Sequence, residues 1–495
     1  STTCATSWAS AATEGRRMSD ILKLDATDQL SALAARKVSA LEILEASLSR
    51  QQQVHSRLNA VVATSLERAL EHARAIDERR AKGEPMGPLT GLPMTIKDTF
   101  DVVGMPASSG LEALRRRVAE DADVVAAARD AGAVIWGKTN VPVMAGDWQS
   151  FNGLYGATNN PWDVKRTCGG SSGGAATALA AGVTALEIGS DIGGSLRVPA
   201  NFCGVFSHKP TWGLVSQHGH VPPSPGSWSE RDLNVVGPMA RSARDLRLLL
   251  SVIQNGLLGA KAPPADLKAT RIGLWLDEPT FPLDPEVRTT IENFAAELTA
   301  AGVEVTPIKT PVHAPTLMSV FPTLLGGVLG EDMPPSMLKG MERMRGWARW
   351  SMRRGADPLS NAALTLAYTA THREWMAADA VRNRLRREIL GVFESYDVIL
   401  APISPVVAFA HNHRPFGKRS LTGSDGRTIP YNAMLNWIAL ATALHLPATT
   451  VPAGLAASGM PVGVQLIGPP GGDARTLAVA QAIDENVRGF VAPTL

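Results

Sequence analysis

What most constrains this chain is a repeated passage from helical to strand periodicity. Residues 121–131 carry apolar side chains at helical spacing, Gly132 stops the run, and the apolar AVIW of 133–136 follows at once. The same order returns at 284–301, Gly302 and 303–305, and again at 372–393 followed by DVILAP. Helices that feed short buried strands are the units of α/β domains, so this alternation predicts an α/β fold around a central mixed, twisted β-sheet covered by helices on both faces. Near the N-terminus Leu30, Leu33, Val38, Leu41, Leu44 and Leu48 recur at helical spacing, with Asp25 or Thr27 placed to cap the start. LNAVVAT at 58–64 reads as a strand, 65–82 as a charged helix ended by GEPMGP, and 183–188 as a buried strand.

Composition narrows the partners. The 48 Lys and Arg balance 46 Asp and Glu, leaving no net field to steer a polyanion, so neither nucleic acid nor a membrane surface is expected. Cys4, Cys168 and Cys203 are too scattered for a disulfide framework or a zinc site, which points to a reducing cytoplasm. His218 with His220, and His411 with His413, form HxH pairs, but neither has a third ligand beside it, so no metal is expected. The opening 1–17 lacks the apolar segment of a secretory signal and reads as an extension or tag remnant before a native start at Met18, leaving 18–495 as a single unit. Within it, 312–375 reads as a helical insertion; six of the fifteen methionines, with Trp347 and Trp350, crowd into 318–354. That texture suits either an ordinary helical packing or an adaptable wall or lid over an apolar pocket.

The glycine-rich GGSSGG at 169–174 admits several chemistries. A phosphate loop of Walker type needs a Lys after its last glycine, and none follows Gly174. Gly169, Ser171 and Gly173 match the GxSxG nucleophile elbow, yet the preceding NNPWDVKRTC is polar and turn-forming rather than a buried strand. Farther on, a strand leads into DIGGS at 191–195, where glycines leave backbone amides able to converge on one point; Ile192, Gly193, Gly194 and Ser195 form a candidate oxyanion hole. A serine nucleophile needs a base, and no histidine stands near either loop in sequence. Lys97 follows the apolar run 92–96, where burial would lower its pKa far enough to leave a neutral amine at pH 7.

GLPMTIKD, GGSSGG and DIGGSLR, in this order, resemble the amidase signature family, and especially its aryl acylamidase and urethanase-like members. DADVVAAARDAGAVIWGKTN, GATNNPWD, HKPTWGLVS, VVGPMARSARDL and GMPVGVQLIG extend the resemblance over about residues 30–468. It implies the amidase signature fold, no cofactor, and a catalytic set of Lys97 as base, Ser171 as bridging serine and Ser195 as nucleophile. Ser171 lies 24 residues before Ser195, the family's spacing, and a cis peptide is implied between Gly170 and Ser171. Met144, Asn152 and Gly170 fall where family members contact substrate. Cys168 reads as a buried small side chain, Ser190 as a support of the nucleophile loop, Asp191 and Arg197 as charges that fix that loop, and Ser172 as structural.

These roles amount to acyl transfer in two halves, through an acyl-enzyme. A stand-alone amidohydrolase for small apolar or aryl amides, with carbamates and esters as further substrates, is the first expectation, as a monomer or homodimer. A component that releases ammonia from glutamine in a tRNA-dependent amidotransferase assembly is the alternative, and a non-enzymatic binding module a distant third.

Overall fold

The computed structural model describes residues 20–254, 256 and 265–495. The 1–17 extension, Cys4 and Met18 lie outside them. Eleven strands form one sheet: β1 Val61–Thr64, β2 Pro93–Lys97, β3 Val134–Thr139, β4 Leu186–Asp191, β5 Phe206–Lys209, β6 Val235–Ala240, β7 Arg271–Leu274, β8 Glu304–Pro307, β9 Val398–Pro402, β10 Ala448–Leu455 and β11 Pro461–Ile467. Their spatial order is β1, β3, β2, β4, β6, β5, β10, β11, β9, β7, β8. The sheet is mixed: β3, β2 and β4 run parallel, as do β9, β7 and β8, while the central strands pair antiparallel. Helices flank it, as the alternation predicts.

The helix–glycine–strand units appear where the periodicity places them. Helix Asp123–Asp130 ends before Gly132, whose φ of +95° only glycine adopts at ease, and β3 begins two residues later. Helix Pro285–Ala300 leads into β8 and helix His372–Ser395 into β9. Three boundaries differ from the sequence reading. The N-terminal pattern is two helices, Ala26–Ala34 and Ala40–Leu58, parted at Arg36 (φ 56°) and restarted by a capping box of Ser39 and Glu42. Leu58 closes the second helix, so the first strand starts only at Val61. The strand read at 183–188 is shifted to Leu186–Asp191, because Gly189, Ser190 and Asp191 pair with Gly237, Val236 and Val235.

The main core fills the space between sheet and helices, with Phe202, Phe206, Phe294, Phe321, Trp275 and Trp437 fully buried. A smaller cluster of Cys168, Ala175, Leu179, Leu196, Ala200 and Cys203 sits between helix Gly173–Ala180 and helix Arg197–Cys203. That packing holds the GGSSGG and DIGGS loops, each at a helix start, against one another.

Candidate active site

β2 and β4 are parallel neighbours with Ile96 opposite Ile188, so both bring their C-terminal ends to the same edge, where open α/β sheets commonly bind ligands. Lys97 ends β2, and Ser190 and Asp191 end β4. Lys97 is fully buried; its Nζ lies 2.8 Å from Ser171 Oγ and 2.9 Å from Ser190 Oγ. Burial pulls the amine down to about 7, against the upward pull of Asp191 and Glu187. Glu187, buried on β4 and bonded by Thr95, is itself pushed up to about 8 by desolvation. Asp98, next to Lys97, pairs with the buried Lys138 at 3.4 Å.

The Gly170–Ser171 peptide is cis. The loop packs tightly: a Cβ on Gly174 would stand 2.3 Å from Asn140 N, and one on Gly170 2.5 Å from Asp147 O. Ser172 N donates to Ser195 O at 3.2 Å, which joins the two serine loops, and Ser172 Oγ reaches Ser190 O at 3.4 Å. Between the hydroxyls of Ser171 and Ser195 no hydrogen bond is formed among the described residues; Ser195, 6% exposed, opens instead onto a cavity. Such contacts commonly tighten only when substrate is bound.

Asp191 organises the nucleophile loop. Its carboxylate accepts from the amides of Gly194 (2.9 Å) and Leu196 (3.1 Å) and pairs with Arg197 at 3.0 Å, both side chains fully buried. Although burial alone would raise it, Arg197 holds the carboxyl down at about 2. Arg197 also reaches Ile438 O, Gln465 and Thr442, fastening the loop to the core. This corrects one member of the expected oxyanion hole, because the Gly194 amide is taken by Asp191. The amides of Ile192, Gly193 and Ser195 meet no acceptor among the described residues.

The cavity beside Ser195 is partly enclosed and holds about 710 Å³ of empty space, the solvent at its mouth included. Ile192, Gly193 and Trp148 border it near the serine; Pro322, Leu325, Leu329, Leu364, Tyr368, Phe416 and Leu435 make the rest largely apolar. Asp147, the one charged lining residue among the described residues, is tied to Arg419 and accepts from Tyr431 Oη at 2.6 Å. Trp148 Nε1 donates to Gly193 O at 2.8 Å, coupling this wall to the DIGGS loop.

Several expected contacts are redirected. Asn152 is spent within the fold, its Nδ2 on Asn140 Oδ1 and Val141 O and its Oδ1 on the amides of Leu154 and Tyr155. Met144 and Gly170 adjoin the cavity through their neighbours but do not line it. The methionines and tryptophans of 318–354 are not its wall either: Met318 is buried in the core, while Met337, Met344, Trp347 and Trp350 are about half exposed on helix Pro335–Arg353. Helix Ala314–Leu329 supplies Pro322, Leu325 and Leu329 instead. Cys168 is buried against Thr158 O, and desolvation pushes its thiol up to about 12. The first HxH pair separates, His218 bonding Asp123 while His220 lies 2.8 Å from Ser190 Oγ; His411 and His413 stay edge-on with centroids 5.5 Å apart, His413 also stacking on Phe151. A histidine therefore does approach the site, contrary to its distance in sequence.

A model of the Amidase family matches residues 42–477. The chain belongs to the amidase signature family. It is an enzyme of a family acting on C–N bonds. A glutamyl-tRNA(Gln) amidotransferase subunit from Heliobacterium modesticaldum is 32% identical over 479 residues, 92% of this chain and 94% of that protein. A solved amidase structure is 30% identical with a TM-score of 0.76, covering 94% of this chain and 100% of that one. A bacterial aryl acylamidase of the amidase signature family, 24% identical over 94% of this chain and 96% of its own, superposes with a TM-score of 0.77 and is alike in fold.

Proposed function

We propose that this member is a stand-alone amidohydrolase for apolar or aryl amides, with Lys97, Ser171 and Ser195 as its catalytic set. Neutral Lys97 draws the Ser171 proton as Ser171 takes that of Ser195, whose Oγ attacks the substrate carbonyl. The amides of Ile192, Gly193 and Ser195 receive the oxyanion. Collapse expels the amine, which takes the relayed proton, and water then enters by the same relay to release the acid. A carbamate or ester offers Ser195 the same carbonyl and a leaving group that accepts a proton, so both fall within reach. Residues 18–495 act as one unit in this reading.

The observation that carries the substrate class is the cavity at Ser195, apolar over most of its wall and with its one carboxylate, Asp147, neutralised by Arg419. Such a wall favours an apolar acyl or amine group over free glutamine, whose charged ends would lose hydration without a partner. The second reading, a glutamine-hydrolysing component of an amidotransferase, is supported by the amidotransferase relatives. Purified chain, without partners, on a panel of chromogenic anilides, esters, carbamates and glutamine separates them: turnover of anilides is expected, and activity confined to glutamine overturns the first reading.

A further inference from the structure

His220 belongs to none of the three motifs, yet it is fastened beside them. Val221 N donates to Thr99 O at 2.7 Å and Asp101 N to Gly219 O at 2.8 Å, stapling this segment to the chain that leaves β2. The ring is 6% exposed and stands edge-on to Phe100, with centroids 4.9 Å apart. Its Nδ1 is 2.6 Å from Pro222 O, and its Nε2 is 2.8 Å from Ser190 Oγ, the hydroxyl that also meets Lys97 Nζ.

The protons in this chain have one consistent arrangement. A carbonyl oxygen only accepts, so Nδ1 carries the ring hydrogen that bonds Pro222 O. In the neutral ring Nε2 is then an acceptor, and the single hydrogen of Ser190 is the one that can fill it. Ser190 Oγ therefore faces Lys97 with lone pairs alone and accepts an N–H. A neutral amine has two hydrogens and one lone pair; with a hydrogen given to Ser190 Oγ and Ser190 O at 3.5 Å beyond it, the lone pair remains for the Ser171 hydroxyl. We infer that His220 is a positioning residue that sets the direction of the Lys97 hydrogen bonds, by holding the hydrogen of the Ser190 hydroxyl away from the amine so that Ser171 alone can donate to it. Without the ring, Ser190 is free to turn its hydrogen into the Lys97 lone pair and compete with the relay. Burial keeps the imidazole neutral, and the facing cations Lys97 and Arg231 act in the same sense, against the Pro222 carbonyl.

The inference rests on the reading of Lys97 as base, and its test has two arms. On a chromogenic anilide, His220→Val is expected to lower kcat/KM by about ten- to a hundredfold, mostly in kcat, the scale of one misdirected buried hydrogen bond. His220→Gln, whose amide can bond both Pro222 O and Ser190, recovers most of that loss. In a Ser190→Ala background His220→Val costs less than about twofold, since nothing is left to orient. An equal loss in both backgrounds, or none in either, overturns the inference. The second arm needs no variant turnover: ¹⁵N NMR of wild-type protein labelled at histidine, with His220→Gln to assign the signal, is expected to report a neutral Nδ1–H ring at pH 7 that persists at pH 5. An Nε2–H tautomer or an imidazolium at pH 7 contradicts it. Absent anilide turnover in wild type would instead strike the functional reading, while the spectrum would still report the tautomer.

Discussion

Protonation of Lys97 should govern both activity and stability, in ways that can be told apart. With the buried amine at about 7, roughly a tenth of the enzyme holds a neutral base at pH 6 and roughly nine tenths at pH 8. The acid limb of kcat/KM on an anilide is therefore expected to fall tenfold per pH unit below about 7. The same burial weakens the fold. Because the folded-state value of about 7 lies below the 10.5 of the free side chain, the unfolded chain holds the extra proton between those pH values. The resulting cost is greatest below pH 7 and is relieved as pH rises, being about 5 kcal/mol at pH 6 and about 3 kcal/mol at pH 8. Lys97→Met keeps the volume and removes the charge, at the expense of about 2 kcal/mol for the two hydrogen bonds to serine. The variant is expected to be inactive yet more stable than wild type, with a gain about 1 kcal/mol larger at pH 6 than at pH 8 in urea unfolding. A rate profile flat from pH 5.5 to 8, or a stability difference that ignores pH, would refute the reasoning.

Three further outcomes follow from the same geometry. Asp191→Asn leaves Arg197 buried without its carboxylate and sets an NH2 donor where one acceptor oxygen stood; a loss of about 3–5 kcal/mol in unfolding free energy is expected, with hydrolysis falling alongside. Gly174→Ala drives a Cβ into the Asn140 backbone and should cost at least about 2 kcal/mol, seen as a lowered Tm. Leu329→Asp places a charge in the apolar wall, and kcat/KM for apolar anilides should drop by more than tenfold while the acid limb stays in place.

What could be read from sequence was local or contiguous. The helix–glycine–strand units follow from periodicity within 20 or so residues, and Lys97, Ser171 and Ser195 stand in short strings of distinctive glycine pattern. What escaped was made by tertiary pairing. Gly189 to Asp191 look like loop until β6 is laid beside them, because strand ladders ignore the poor intrinsic propensity of glycine and aspartate. His220 is 30 residues from Ser190 and reaches it only because its loop is hydrogen-bonded to Thr99 and Asp101. The cavity wall is drawn from six distant segments, around residues 148, 193, 325, 364, 416 and 435, so no window of sequence contains it. Clustered Met and Trp suggested a wall, but helical phase turns Met337, Met344, Trp347 and Trp350 outward.

The central claim is that the hydroxyl of Ser195 forms the acyl bond, under the control of an uncharged lysine. The most direct measurement is peptide mapping by mass spectrometry after stoichiometric reaction with an acylating carbamate at pH 8. One adduct on the peptide bearing Ser195, absent in Ser195→Ala and slow to form in Lys97→Met, is the result expected. A stable adduct on Ser171, Cys168 or any other side chain, or full labelling of Ser195→Ala, would contradict it.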